Sequence, residues 1–279
     1  MTTSPFDITQ VIVHRSATGP VIVARSEGIS FEVEEFVLRT SVAFGTKPTG
    51  VTCSQAVFSL PVNDNTVAVG TLVDTGHDSL AFRFLFVSRF VYRVLGDTFL
   101  IADRFPVNIT ARGSLPLLAW PDEPPPERNV HDLQVILKAG DSALLLGGAQ
   151  ALIDGVAIRL ARSQPEAKLI RDLWQFLPHK ARAELYPAEY CFEDGQAFHA
   201  SVLPSVPAKL PPGQLNEEQV KEYPEGRFEL AMQVAIENGD QAGLDKLLNR
   251  RTSREMFRFT VGIILFAFTA MIVMRLIPW

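Results

Sequence analysis

Ala56-Val57-Phe58-Ser59-Leu60, then Asn63-Asp64-Asn65, then Val67-Ala68-Val69-Gly70-Thr71-Leu72-Val73 is the stretch whose reading decides the fold. Two β-prone runs around a cluster of Asn and Asp make a hairpin, because those side chains tolerate turn geometry and bond their own backbone. Leu80 to Val87 follows, aromatic and β-prone with little alternation, as a central strand with both faces covered reads. Upstream, Val11-Ile12-Val13 and Val21-Ile22-Val23 flank Thr18-Gly19-Pro20 and predict two further strands around a turn. The expected class is α+β, a mixed or antiparallel sheet with helices.

Helix signals punctuate the strands. Ser30 caps a helix carrying Phe31, Glu34, Glu35 and Leu38, and Ser88 caps Arg89 to Leu95, which Gly96 stops. Asn129 caps a helix through Lys138 with Val130, Leu133, Ile136 and Leu137 on one face. Val156 to Leu160 reads as a strand, and Pro165 opens a helix with Leu169, Leu173, Phe176 and Leu177 at helical spacings. Two short helices, split by Asn238-Gly239-Asp240, precede the chain's last segment.

Proline marks the joints. Leu115-Pro116-Leu117-Leu118-Ala119-Trp120-Pro121 with Asp122-Glu123-Pro124-Pro125-Pro126 predicts an extended stiff spacer, read either as a boundary between lobes or as an irregular loop inside one domain. The division on the first reading is an N-terminal α+β lobe at 1–115, a connection at 116–128 and a second α+β lobe at 129–203. A Pro-rich linker at 204–215, a helical juxtamembrane segment at 216–256 and a transmembrane anchor at 257–279 complete it.

The anchor rests on composition. Phe259 to Met274 is uncharged and mostly apolar. At a helical rise of ~1.5 Å per residue, the stretch from Phe259 to Trp279 reaches ~31 Å, about one hydrocarbon core. A buried hairpin helix is the alternative. Arg250, Arg251, Arg254 and Arg258 precede the segment, opposed by Glu255, which keeps the body cytoplasmic; Arg275 snorkels and Trp279 suits the headgroup layer. The small residues Gly262, Ala267 and Ala270 form no Gly-x-x-x-Gly face, so oligomerisation through the segment ranks last. Met1-Thr2-Thr3-Ser4-Pro5-Phe6-Asp7 has neither the basic region nor the apolar run of a signal peptide, so insertion is expected after synthesis.

Charge excludes some functions. The chain carries 26 basic and 31 acidic residues, and setting aside five arginines and one glutamate from position 250 onward leaves a body of net −9. Such a body repels phosphate backbones, so no nucleic-acid partner is expected, while arginines beside the anchor favour anionic headgroups. Cys53 and Cys191 are too few for a disulfide framework.

Each candidate chemistry has a plainer explanation beside it. Cys191 and His199 are the nearest thiol–imidazole pair, but Asp194-Gly195 predicts a two-residue hairpin in which Cys191 faces Phe198 and His199 faces Tyr190, on opposite sides. Cys191 then reads as a core residue. His77-Asp78 and His131-Asp132 are sequence neighbours and do not face each other. Asp74, Gly76, His77 and Asp78 form a polar loop after a strand, a metal or partner contact or simply a satisfied turn. No metal-ligand spacing occurs, and Leu146-Gly147-Gly148-Ala149-Gln150 is too short and lacks the lysine of a phosphate loop, so a tight helix junction is expected there. No cofactor is expected.

Val69-Gly70-Thr71-Leu72-Val73-Asp74-Thr75-Gly76-His77-Asp78, followed by Phe84-Leu85-Phe86-Val87-Ser88-Arg89, resembles the N-terminal region of GTPase-associated proteins encoded beside GTPases in predicted bacterial conflict systems. Leu115 to Pro121, Leu173-Trp174-Gln175-Phe176-Leu177-Pro178 with Arg182, and the expected strand pair around Phe192 and Phe198 extend the likeness over about residues 8 to 205. The chain departs from the pattern where Ser79-Leu80-Ala81-Phe82-Arg83 has no histidine-rich continuation. The resemblance implies an adaptor-like role with a GTPase as partner. Sequence and resemblance together lead to the expectation of a non-enzymatic adaptor, single-pass in a bacterial inner membrane with its body cytoplasmic. The competing expectation is a membrane-bound hydrolase using Cys53 or the Asp74 and Asp78 loop.

Overall fold

The computed structural model describes residues 7–76, 79–120 and 126–249. His77, Asp78, Arg250, Arg251, Arg254, Arg258, Phe259, Arg275 and Trp279 lie outside the described residues, and with them the anchor at 257–279.

The first half is strand-rich. In chain order come β1 (Asp7–Ser16), β2 (Gly19–Ser26), α1 (Phe31–Ala43), β3 (Gln55–Pro61), β4 (Thr66–Gly76), β5 (Ser79–Ser88), α2 (Arg89–Leu95), α3 (Thr98–Arg104), β6 (Gly113–Leu115) and β7 (Leu118–Ala119). The second half holds α4 (Val130–Ala139), α5 (Ser142–Ile153), β8 (Ala157–Ala161), α6 (Ala167–Gln175), α7 (His179–Arg182), β9 (Pro187–Ala188), β10 (Ala200–Leu203) and β11 (Gln214–Leu215). It closes with α8 (Glu217–Lys221), α9 (Arg227–Glu237) and α10 (Gln241–Leu248). This is an α+β fold with a mixed sheet.

One sheet runs through both halves in the order β11-β8-β10-β9-β3-β4-β5-β1-β2-β6, with β7 beside β1. β1 to β5 pair antiparallel as hairpin chemistry predicts, while β8, β9, β10 and β11 pair parallel among themselves. The halves meet where Phe58 of β3 pairs with Ala188 of β9. Glu189 welds that joint: its N–H donates to Val57 O at 2.8 Å and its carboxylate accepts from Val57 N at 2.7 Å. Rings fill the space behind it, with Phe44 to Phe58 at 4.4 Å, Phe44 to Phe82 at 5.4 Å and Phe58 to Phe198 at 6.1 Å. At such spacings aromatic pairs attract beyond their buried area.

The caps follow the expected chemistry. Ser30 and Ser88 accept from Val33 N and Val91 N, Asn129 from His131 N and Asp240 from Gly243 N, while Gly96 stops α2 in the left-handed region.

Two expectations are corrected. The Asp-Gly hairpin does not form: Cys191 N donates to Val202 O and His199 N to Tyr186 O, so the chain crosses over and β10 returns parallel to β9. Asp194 is drawn off by the buried Arg159 at 2.8 Å. A buried cation left without its partner is far costlier than the loss of a turn's weak local preference. Leu146 to Gln150 is no helix junction but the buried middle of α5, where a Cβ on Gly147 would lie 2.5 Å from Val220 O. Glycine there lets α8 approach. In the first Pro-rich connection, the described residues 116–120 are tied into the sheet. Leu118 pairs with Ile8, Pro116 O accepts from Gln10 Nε2 at 2.9 Å, and Trp120 packs on Phe105 at 5.8 Å.

Candidate functional site

The sequence-nominated thiols are sealed in the core. Cys53 and Cys191 are both 0% exposed, and burial pushes each thiol up to about 12, with nearby Asp74 and Glu189 adding to the effect at Cys53 and Asp194 at Cys191. A thiol held there is neutral at physiological pH and a poor nucleophile. His199 does not serve Cys191: its Nδ1 accepts from Tyr186 N at 3.0 Å, while the Cys191 Sγ points to Val202 O at 3.7 Å.

Asp74 lies in β4, opposite Leu80 of β5, rather than in a loop. It accepts from Lys47 Nζ at 2.8 Å and from Gly76 N at 2.9 Å. Partial burial pushes its carboxyl up, and those two donors outweigh that and hold it below the usual carboxylate range. An acid so neutralised is neither a general base nor a free ligand. His131 is exposed at the start of α4, as expected of an uncoupled neighbour of Asp132. Among the described residues, no group of three or more His, Cys, Asp or Glu could hold a metal.

A concave polar surface lies elsewhere. A cleft of about 540 Å³ opens where the α2–α3 corner, the ends of α6 and α7, the approach to α4 and the end of α10 converge. Leu95, Phe99 and Leu248 supply apolar wall, and Arg128, His179 and Arg182 supply polar groups. Local chemistry sets each polar group. Asp97 caps α3 through Oδ1, as a short acidic side chain at that position does. It accepts from Phe99 N at 2.9 Å and Leu100 N at 3.2 Å, and turns Oδ2 to Arg182 Nη1 at 2.5 Å. Arg128 reaches carbonyls that the end of α6 leaves over. Its Nη1 donates to Gln175 O at 2.9 Å and Leu177 O at 2.5 Å. Arg171 binds Asp103 through both terminal nitrogens and Glu189 through Nε.

Two cations are thus held close. Burial, then the like charge of Arg182, pushes Arg128 down to about 9; burial chiefly lowers Arg182, against the pull of Asp97. His179, with Nε2 3.1 Å from Arg93 O, is lowered first by burial and then by Arg182. Among the described residues no carboxylate lies within ion-pair distance of Arg128. Sequence reading did not single out this cleft, because Arg128, His179 and Arg182 come from separate segments with no common spacing. The one available signal was an arginine directly before the Asn129 cap.

No family model matches the chain, and no curated protein matches it. Among the described residues no single helix is long and apolar enough to cross a membrane; α4 and α5 together have the length, but they bend by 119° and the core buries most of α5.

Proposed function

We propose that this protein is a membrane-anchored adaptor: an α+β body on the cytoplasmic face of a bacterial inner membrane, held by the segment from Phe259 and binding a protein partner. The observation that carries the reading is the state of the nominated catalytic groups. Both thiols are buried, which favours their neutral form, and Asp74 is tied to Lys47. The uncharged run Phe259 to Met274 behind Arg250, Arg251, Arg254 and Arg258 supports the anchor and its orientation. Confinement to a surface raises a partner's effective concentration without any new contact, which is reason enough for such a segment. The resemblance over residues 8 to 205 makes a GTPase the partner to look for, and the acidic body argues against nucleic acid.

Cross-linking in native membranes followed by purification tests this. A stoichiometric protein partner is expected, and repeated recovery of the protein alone contradicts it. Substituting Cys53→Ala, Asp74→Asn and Asp78→Asn separately tests the hydrolase alternative: an adaptor that folds normally keeps its partner in all three, whereas a hydrolase loses function at one.

A further inference from the structure

Arg128 uses one terminal nitrogen on Gln175 O and Leu177 O. Among the described residues its Nε and Nη2 bond nothing, yet neither is among the sealed and unpartnered side-chain atoms, so both remain open while the side chain lines the cleft. Nε and Nη2 form the edge of a guanidinium that receives an oxyanion with two parallel hydrogen bonds. A second cation stands beside it in Arg182, whose own Nε is buried without a partner. Arg182 is already paired with Asp97, so the open edge of Arg128 is the group that can receive negative charge.

The wall decides which negative charge. Its three arginines face four carboxylates, for Glu127 and Asp245 join Asp97 and Asp103 there. Asp97 and Asp103 are occupied by Arg182 and Arg171, but Asp245 and Glu127 oppose a dianion more strongly than a monoanion. Half-buried Leu100 offers surface to an apolar body, with the nearly buried Leu95, Phe99 and Leu248 behind it.

We propose that this cleft binds a small apolar monocarboxylic acid, its carboxylate seated on the Nε and Nη2 edge of Arg128 and its body against the leucine and phenylalanine wall. The inference stands apart from the adaptor reading, since it requires neither a protein partner nor a membrane. The cleft's size, about 540 Å³, is that of ordinary small-molecule sites, and its lining is more polar than theirs, with the apolar groups confined to one wall.

Titration of the full chain in lipid nanodiscs, followed by ligand-observed NMR, tests it with three probes: benzoate, its uncharged counterpart benzamide, and inorganic phosphate. Saturable benzoate binding is expected, with benzamide and phosphate each at least about tenfold weaker, as loss of a charge-assisted pair implies. Arg128 also holds the end of α6, so Arg128→Lys is the variant of choice: it keeps a cation and loses the fork. With the circular-dichroism melt confirming a folded protein, it weakens benzoate by about tenfold or more and leaves benzamide unchanged. No benzoate binding up to about 10 mM, a concentration at which even a weak millimolar site is mostly filled, would overturn the proposal. Equal binding of benzamide, tighter binding of phosphate, or unchanged benzoate affinity in the lysine variant would each overturn it too. Each of these outcomes is independent of whether a protein partner co-purifies.

Discussion

Gly70 shows how a single residue positions the core. It pairs with Phe58 on one side and Phe84 on the other, and the Phe58 ring lies over it so closely that any Cβ would overlap the ring. Gly70→Ala therefore displaces the ring that joins Phe44 and Phe198, and overpacking of this kind costs about 1–3 kcal/mol, read as a lower urea midpoint with unchanged slope. The thiols give a second expectation. Both lie near 12 in the folded chain, burial being the chief cause. Against about 8.5 for an unfolded thiol, alkylation by iodoacetamide at about pH 8 is at least about tenfold slower in the native protein than in denaturant; equal rates would mean that neither thiol is buried as described. Histidine sets the acid side. His199 is lowered by burial and then by Arg159, and His179 by burial and then by Arg182, so both stay neutral in the fold while the unfolded chain takes up protons near pH 6.5. The unfolded state then binds more protons, so stability falls as pH drops below about 6.5, a slope that His199→Phe reduces. At this scale the sequence was legible for Cys191 as core and silent on Arg128, because a side chain's partners three segments away leave no trace in local spacing.

Helix ends supply the element-scale pattern. Arg15 donates to Ser41 O and Gly45 O, each at 2.5 Å, around the end of α1; Arg83 donates to Phe105 O at 2.6 Å and Pro106 O at 2.9 Å just past α3; Arg128 does the same around the end of α6. Carbonyls left over at a helix C-terminus carry partial negative charge, and a guanidinium both satisfies them and complements the dipole. Arg15→Met leaves those carbonyls to water and costs about 1–3 kcal/mol in chemical denaturation, while Ser88→Ala removes one cap bond of α2 and costs about 1 kcal/mol. Caps and hairpins within reach of their own neighbours were readable: Ser30, Ser88, Asn129 and Asp240 stand where expected, as does the β3–β4 hairpin. The Asp-Gly turn was misread because Arg159, 35 residues upstream, takes Asp194. α3 was missed, since Thr98 to Arg104 is short and follows directly on the Gly96 stop of α2.

For the whole molecule, the sheet is the unit that matters. It carries β1 to β7 and β8 to β11 in a single ladder across the Phe58–Ala188 pair, and the buried side chains form a single cluster spanning both Pro-rich segments. Cutting that ladder should be felt everywhere, because Glu189→Ala strips the joint of its carboxylate and leaves Arg171 without its buried partner. The expected loss is about 3 kcal/mol or more, in one cooperative transition rather than two. The parallel pairings among β8 to β11 were not legible, because short strands of two to five residues carry too little alternation to declare a direction. The proposed function depends on attachment of the body to a bilayer from Phe259 onward. Alkaline carbonate extraction of membranes carrying the full chain, with protease added to spheroplasts from outside, tests that attachment directly. The account predicts that the protein stays in the pellet and its body survives until the membrane is breached; release into the supernatant, or digestion of the body in intact spheroplasts, would contradict it.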